Sequence, residues 1–93
     1  MRDWAGKRYW LVGASEGLGR ALAEKMSRAG VDLILSARSE DRLAELAHAL
    51  PGRARTVAMD ISDPASVAAA ADAVGDIDGL VFLAGVSWPQ GAK

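Results

Sequence analysis

The most constraining feature of the 93-residue chain is a cluster of three glycines, Gly13, Gly17 and Gly19, placed between two different hydrophobic rhythms. Before it, Tyr9-Trp10-Leu11-Val12 is a short apolar run, as expected of a strand buried on both faces of a parallel sheet. After it, Leu18, Ala21, Leu22, Met26 and Ala29 recur at helical spacing. A strand, a tight glycine turn and a helix in that order place free N–H groups and a helix dipole at one spot. That arrangement suits a phosphate. Gly13 permits the tight exit from the strand, Gly17 clears room for a pyrophosphate, and Gly19 lets the helix pack closely on the sheet. Ser15 can add a hydroxyl donor. The same turn could also connect a strand to a helix and bind nothing.

The rest of the chain repeats the alternation. Gly30 marks the stop of the first helix. Val31–Ser36 reads as a second strand. Ser39 is a candidate N-cap for a helix with Leu43, Leu46, Ala47 and Leu50 inward, ended by Pro51-Gly52. Arg55–Met59 reads as a third strand. Asp63-Pro64 opens a third helix with Val67, Ala70, Ala71 and Val74 inward, closed by Gly75. Gly79–Ala84 reads as a fourth strand, and residues 86–93 as loop. The order β-α-β-α-β-α-β predicts an α/β, Rossmann-like parallel sheet with strand order 3-2-1-4. The first two helices are expected on one face and the third on the other. One domain spans residues 1–93.

The glycine spacing in Val12-Gly13-Ala14-Ser15-Glu16-Gly17-Leu18-Gly19 resembles the T-G-x-x-x-G-x-G motif of short-chain dehydrogenases/reductases, with Val12 in place of the threonine. The resemblance covers about residues 7 to 87. It implies the cofactor-binding half of an oxidoreductase that transfers hydride between a nicotinamide and a carbonyl or alcohol. Gly13, Ser15, Glu16, Gly17, Leu18 and Gly19 would hold the dinucleotide.

An acidic residue ending the second strand would accept the ribose 2′-hydroxyl of NAD. Here Ser36-Ala37-Arg38 stands there, and Arg38 lies 19 positions beyond Gly19. A guanidinium suits a 2′-phosphate, so NADP(H) is the expected cofactor and NAD the less favoured one. Glu16 argues the other way, because a carboxylate near a phosphate helps only if it points away. Arg38 could also be a solvated residue ahead of a helix. By resemblance, Asp60 contacts the adenine amino group and Ile61 flanks the ring. Asp60 could instead cap a turn. After the fourth strand the family usually shows N-N-A-G; this chain has Phe82-Leu83-Ala84-Gly85. Ala84 and Gly85 match, and Gly85 lets a cofactor lie close to the strand end.

No catalytic residue carries over. The family's serine and Tyr-x-x-x-Lys pair lie well beyond the fourth strand. The single tyrosine, Tyr9, has Gly13 four positions on. The fourth strand is apolar on both faces yet predicted at an edge, which fits the N-terminal half of a longer enzyme. The alternative is a non-catalytic nucleotide-binding or association module.

Bulk properties exclude other classes. There is no cysteine for a disulfide, thiolate or cysteine zinc site, and the single His48 builds no metal cluster alone. A net charge of −1 offers no attraction to nucleic acid or an anionic membrane. No apolar run approaches the roughly 20 residues of a membrane span. The polar N-terminus lacks a signal core, so a cytoplasmic protein is expected. Homo-oligomerisation stays open.

Overall fold

A computed structural model describes residues 5–13 and 17–83, without the side chains of Gly17 and Leu18. The elements are β1 (Arg8–Val12), α1 (Gly17–Arg28), β2 (Asp32–Ser36), α2 (Glu40–Ala49), β3 (Ala54–Thr56), α3 (Pro64–Val74) and β4 (Gly79–Phe82). All strand pairings are parallel and the sheet order is β3-β2-β1-β4. The strict alternation of strands and helices leads to this layout, because each crossover must place its helix on a sheet face.

Alternate residues of β1 and β2 feed two cores. Leu11, Leu33 and Leu35 pack with Ala23 and Met26 of α1 and with Leu43 and Leu46 of α2. Trp10, Val12 and Ile34 pack on the other face with Met59 and with Ala70 and Val74 of α3. Two helices therefore cover one face and the third covers the other, as the sequence pattern predicts.

The caps match their residue types. Ser39 Oγ accepts from the Arg42 N–H at 3.3 Å at the start of α2. Asp63 Oδ1 accepts from the Ala65 N–H at 3.1 Å, with Pro64 at the first helical position of α3.

Some expectations shift. Ala21 and Ala71 are exposed rather than inward. On α1 the phase of the packed face is set by Ala23 and Met26, and Ala21 falls outside it. On α3 the inward line runs through Ala70 and Val74, and Ala71 is rotated off it. The β2 ladder begins at Asp32, although Val31 is buried. β3 is a short edge strand at Ala54–Thr56 rather than Arg55–Met59. Beyond it single bonds persist, from the Val57 N–H to the Leu35 carbonyl and from the Met59 N–H to the Ala37 carbonyl. β4 ends at Phe82. The Leu83 N–H still donates to the Val12 carbonyl at 2.8 Å, and Ala84 lies outside the described residues.

Candidate nucleotide site

In an open parallel sheet the crevice for a ligand lies beyond the carboxyl ends of the strands, where the strand order reverses. Here that point is between β1 and β4. The turn leaving β1 is built for close approach. Gly13 has φ +86°, a left-handed conformation that costs a side-chain-bearing residue about 1–2 kcal/mol. Its N–H donates to the Ser36 carbonyl at 2.7 Å. Gly17 opens α1, and Gly19 in its first turn is buried. The side chain of Leu18 falls outside the description, as do Ala14, Ser15, Glu16, Ala84 and Gly85.

Two strands further from the switch point, Arg38 and Asp60 come together. Arg38 follows β2 and is exposed. Asp60 follows the Met59 bond to Ala37. With Ala58, Met59 and Ser66, the two residues line an open depression of about 310 Å³. Ser62 donates to Asp60 Oδ1 through its hydroxyl at 2.7 Å and its N–H at 3.0 Å. These hydroxyl and backbone hydrogen bonds, in that order, hold the Asp60 carboxyl below the usual aspartate range. Partial burial opposes them, and the Arg38 charge adds to the lowering.

Asp60 thus caps a turn, as one of the two readings of the sequence has it. The capping occupies Oδ1 and leaves Oδ2 without a hydrogen bond among the described residues. Ile61 follows with 40% of its surface exposed, an apolar side chain left in water beside the depression.

Sequence reasoning missed Ser62 and Ser66. Ser66 Oγ accepts from the Asp60 N–H at 2.9 Å, so one serine fixes the backbone of Asp60 and the other its carboxylate. The Asp-x-Ser spacing is the signature of a side-chain-closed turn and could have flagged Ser62. No local signal marks Ser66, which reaches back from the first turn of α3.

Phe82 and Leu83, which stand where the family has asparagines, behave differently. Phe82 pairs in register with Val12 and is 54% exposed; the Leu83 N–H donates to the Val12 carbonyl.

A larger depression, about 370 Å³, lies at the opposite end of the sheet among Arg8, Asp32, Arg53, Ala54 and Arg55. Its charges are largely committed to holding the fold. Arg8 Nε pairs with Asp32 Oδ2 at 3.3 Å, and Arg55 donates to the Val74 carbonyl at the end of α3. Among the described residues no group of metal-ligating side chains gathers, and no helix is long and apolar enough to cross a membrane.

Known proteins share this fold. The chain matches the short chain dehydrogenase family over residues 7–93. It is 30% identical over 89 residues to the 3-oxoacyl-(acyl-carrier-protein) reductase of Escherichia coli, covering 91% of this chain and 36% of that protein. The L-sorbose reductase of Gluconobacter frateurii, solved with NADPH and L-sorbose, superposes with a TM-score of 0.73 at 34% identity, over 82% of this chain and 32% of that one. A short-chain dehydrogenase/reductase of Burkholderia phymatum, solved with NAD, gives a TM-score of 0.77 at 34% identity, over 86% of this chain and 31% of that one. The chain spans about a third of the length of the curated relatives it matches. With its parallel 3-2-1-4 sheet, its glycine turn at the switch point and this continuous match, the chain belongs to the short-chain dehydrogenase/reductase family of oxidoreductases.

Proposed function

We propose that this chain is the NADP(H)-binding portion of an oxidoreductase that moves hydride between a nicotinamide and a carbonyl or alcohol. The observation that carries the cofactor choice is that Arg38 and Asp60 line one depression beyond the carboxyl ends of β2 and β3. Arg38 there would meet a 2′-phosphate with charge-assisted hydrogen bonds. Asp60 Oδ2 would accept from the adenine amino group, Ile61 would cover one face of the ring, and Gly13, Gly17 and Gly19 would admit the pyrophosphate. Ser15, Glu16, Leu18, Ala84 and Gly85 complete the proposed contacts from the family's pattern. Bound there, the nicotinamide would supply the hydride.

No proton-transfer group is assigned within this chain. Tyr9 sits near the start of β1, three residues and roughly 10 Å of strand from Val12 and the turn. Its ring lies against Gly79 at the end of the sheet remote from the site.

Titration of the purified chain with NADP+ and NAD+ tests the reading. Tighter binding of NADP+ supports it. Binding of neither defeats the cofactor assignment, and tighter binding of NAD+ defeats the role of Arg38.

A second reading, an association module acting with another copy of itself, draws on one observation. Leu80 and Phe82 on β4 are 55% and 54% exposed, with no strand beyond them among the described residues. Sedimentation at rising concentration tests it; a monomer at every concentration argues against it.

A further inference from the structure

We propose that Trp10 and Ser36 form a buried polar tie that positions Arg38 for the 2′-phosphate, and so sets nucleotide selectivity without touching the nucleotide. The inference rests on the NADP(H) reading above.

Trp10 Nε1–H donates to Ser36 Oγ at 2.8 Å across β1 and β2. Ser36 is fully buried and Trp10 nearly so. The pair is diagonal, since Trp10 stands opposite Ile34 and Ser36 opposite Val12. It lies in the core beneath α3, in which Trp10 packs with Val12, Ile34, Met59, Ala70 and Val74. A polar bond in such a place is directional where the surrounding packing is not.

What the bond holds is the exit of β2. The Ser36 carbonyl accepts from the Gly13 N–H at 2.7 Å, and the Ala37 carbonyl accepts from the Met59 N–H at 3.0 Å. Residues 36 and 37 are therefore a crossbar tied to the glycine turn on one side and, through Met59, to the segment leading from β3 into Asp60 on the other. The next residue along the crossbar is Arg38. Two ordinary backbone bonds fix the crossbar within the sheet. The Trp10–Ser36 bond is the side-chain contact that fixes it from the α3 face. Recognition of a phosphate by a guanidinium depends on direction, so a shift in the Arg38 backbone weakens it. The contacts that NAD+ shares with NADP+ do not involve the 2′ position and tolerate the same shift better.

The experiment measures NADP+ and NAD+ affinities for the wild-type chain and for Trp10→Phe, Ser36→Ala and Ser36→Thr, with thermal melts of each. Removing either partner is expected to weaken NADP+ about 3- to 10-fold, a misalignment that forfeits part of one charge-assisted hydrogen bond at Arg38 and so less than removing the guanidinium does. NAD+ should change distinctly less. Ser36→Thr keeps the acceptor oxygen and should restore the wild-type NADP+/NAD+ ratio. If Trp10→Phe does not fold, Ser36→Ala carries the test, because it removes only one oxygen from the core. An unchanged NADP+/NAD+ ratio in folded Ser36→Ala overturns the proposal while leaving the cofactor reading intact. A wild-type chain that binds neither nucleotide overturns both. A general loss of stability with equal weakening of both nucleotides assigns the pair to folding alone and also overturns it.

Discussion

The N–H of Gly13 donates to the carbonyl of Ser36 at 2.7 Å, so the turn leaving β1 starts out anchored to the last residue of β2. The backbone at Gly13 is left-handed, φ +86°, while that bond is made. Anchor and turn are thus one element, and they put the start of α1 and the residue after β2 in a fixed relation. That relation brings the start of α1, proposed to face a phosphate, and Arg38 to the same end of the sheet.

Gly13→Ala is expected to destabilise the chain by about 1–2 kcal/mol, the cost of a Cβ in a left-handed conformation. The midpoint of urea unfolding should fall with its slope unchanged. Nucleotide affinity should fall for NADP+ and NAD+ alike, because the proposed role of the turn is to admit the pyrophosphate common to both. A stability equal to wild type would mean that the turn relaxes freely and does not depend on glycine at this position.

Arg38→Ala is expected to weaken NADP+ tenfold or more, since each charge-assisted hydrogen bond contributes about 1.5–3 kcal/mol. NAD+ binding should stay close to wild type. Arg38 is exposed and lies outside both cores, so the melting temperature should barely move. Isothermal titration of both nucleotides reads the difference. Equal affinities of wild type and variant for NADP+ would place Arg38 in solvent.

The Asp60 carboxyl is held below its ordinary value of 3.8, first by the Ser62 hydroxyl, then by the Ser62 N–H, with the Arg38 charge contributing. A depressed carboxylate pKa stabilises the fold at every pH above the unfolded value and loses that contribution as pH falls through the folded one. The turn should therefore be insensitive to pH from neutrality down to about 4 and weaken only below it. Ser62→Ala removes the largest cause and should raise the Asp60 pKa toward its ordinary value. Carboxyl carbon shifts in an NMR titration follow it directly. An unchanged Asp60 pKa in Ser62→Ala would show that the serine hydroxyl does not bind the carboxylate in solution.

Much of this architecture is written in local residue choice. The glycine turn, the Ser39 and Asp63-Pro64 caps and the change from strand to helical period each act over a few residues. The order of elements then limits the sheet to 3-2-1-4. What escaped the sequence depends on register or on helix phase. Whether Ala21 or Ala23 faces the sheet depends on the rotation of α1, which alanines do not disclose because they pack acceptably on either face. The Trp10–Ser36 bond joins residues 26 positions apart and exists only because β1 and β2 pair with Val12 opposite Ser36. Arg38 and Asp60 were each legible as candidates, one from charge and one from the family's pattern. Their meeting at a single depression required the crossover through α2 and the parallel pairing of β2 with β3. Ser66 joins them only because α3 begins directly below Asp60.

Gly79 supplies the last prediction. It stands opposite Tyr9 in the β1–β4 pairing, and the tyrosine ring occupies the space a side chain would need. A Cβ at Gly79 would lie 2.7 Å from Cζ and 2.8 Å from Cδ2 of Tyr9, with Cε2 closer still. Such contacts force the ring to swing away or the strands to part. Gly79→Ala is therefore expected to cost about 1–3 kcal/mol, as overpacking does in a tight interior. The cause is separable by a double-mutant cycle. In a Tyr9→Ala background the ring is gone, so adding Gly79→Ala should cost far less, leaving a coupling energy well above the few tenths typical of independent sites. Chemical denaturation of the four chains measures it. Additive effects would mean that the cost arises from the β4 backbone alone and not from a clash with the tyrosine ring.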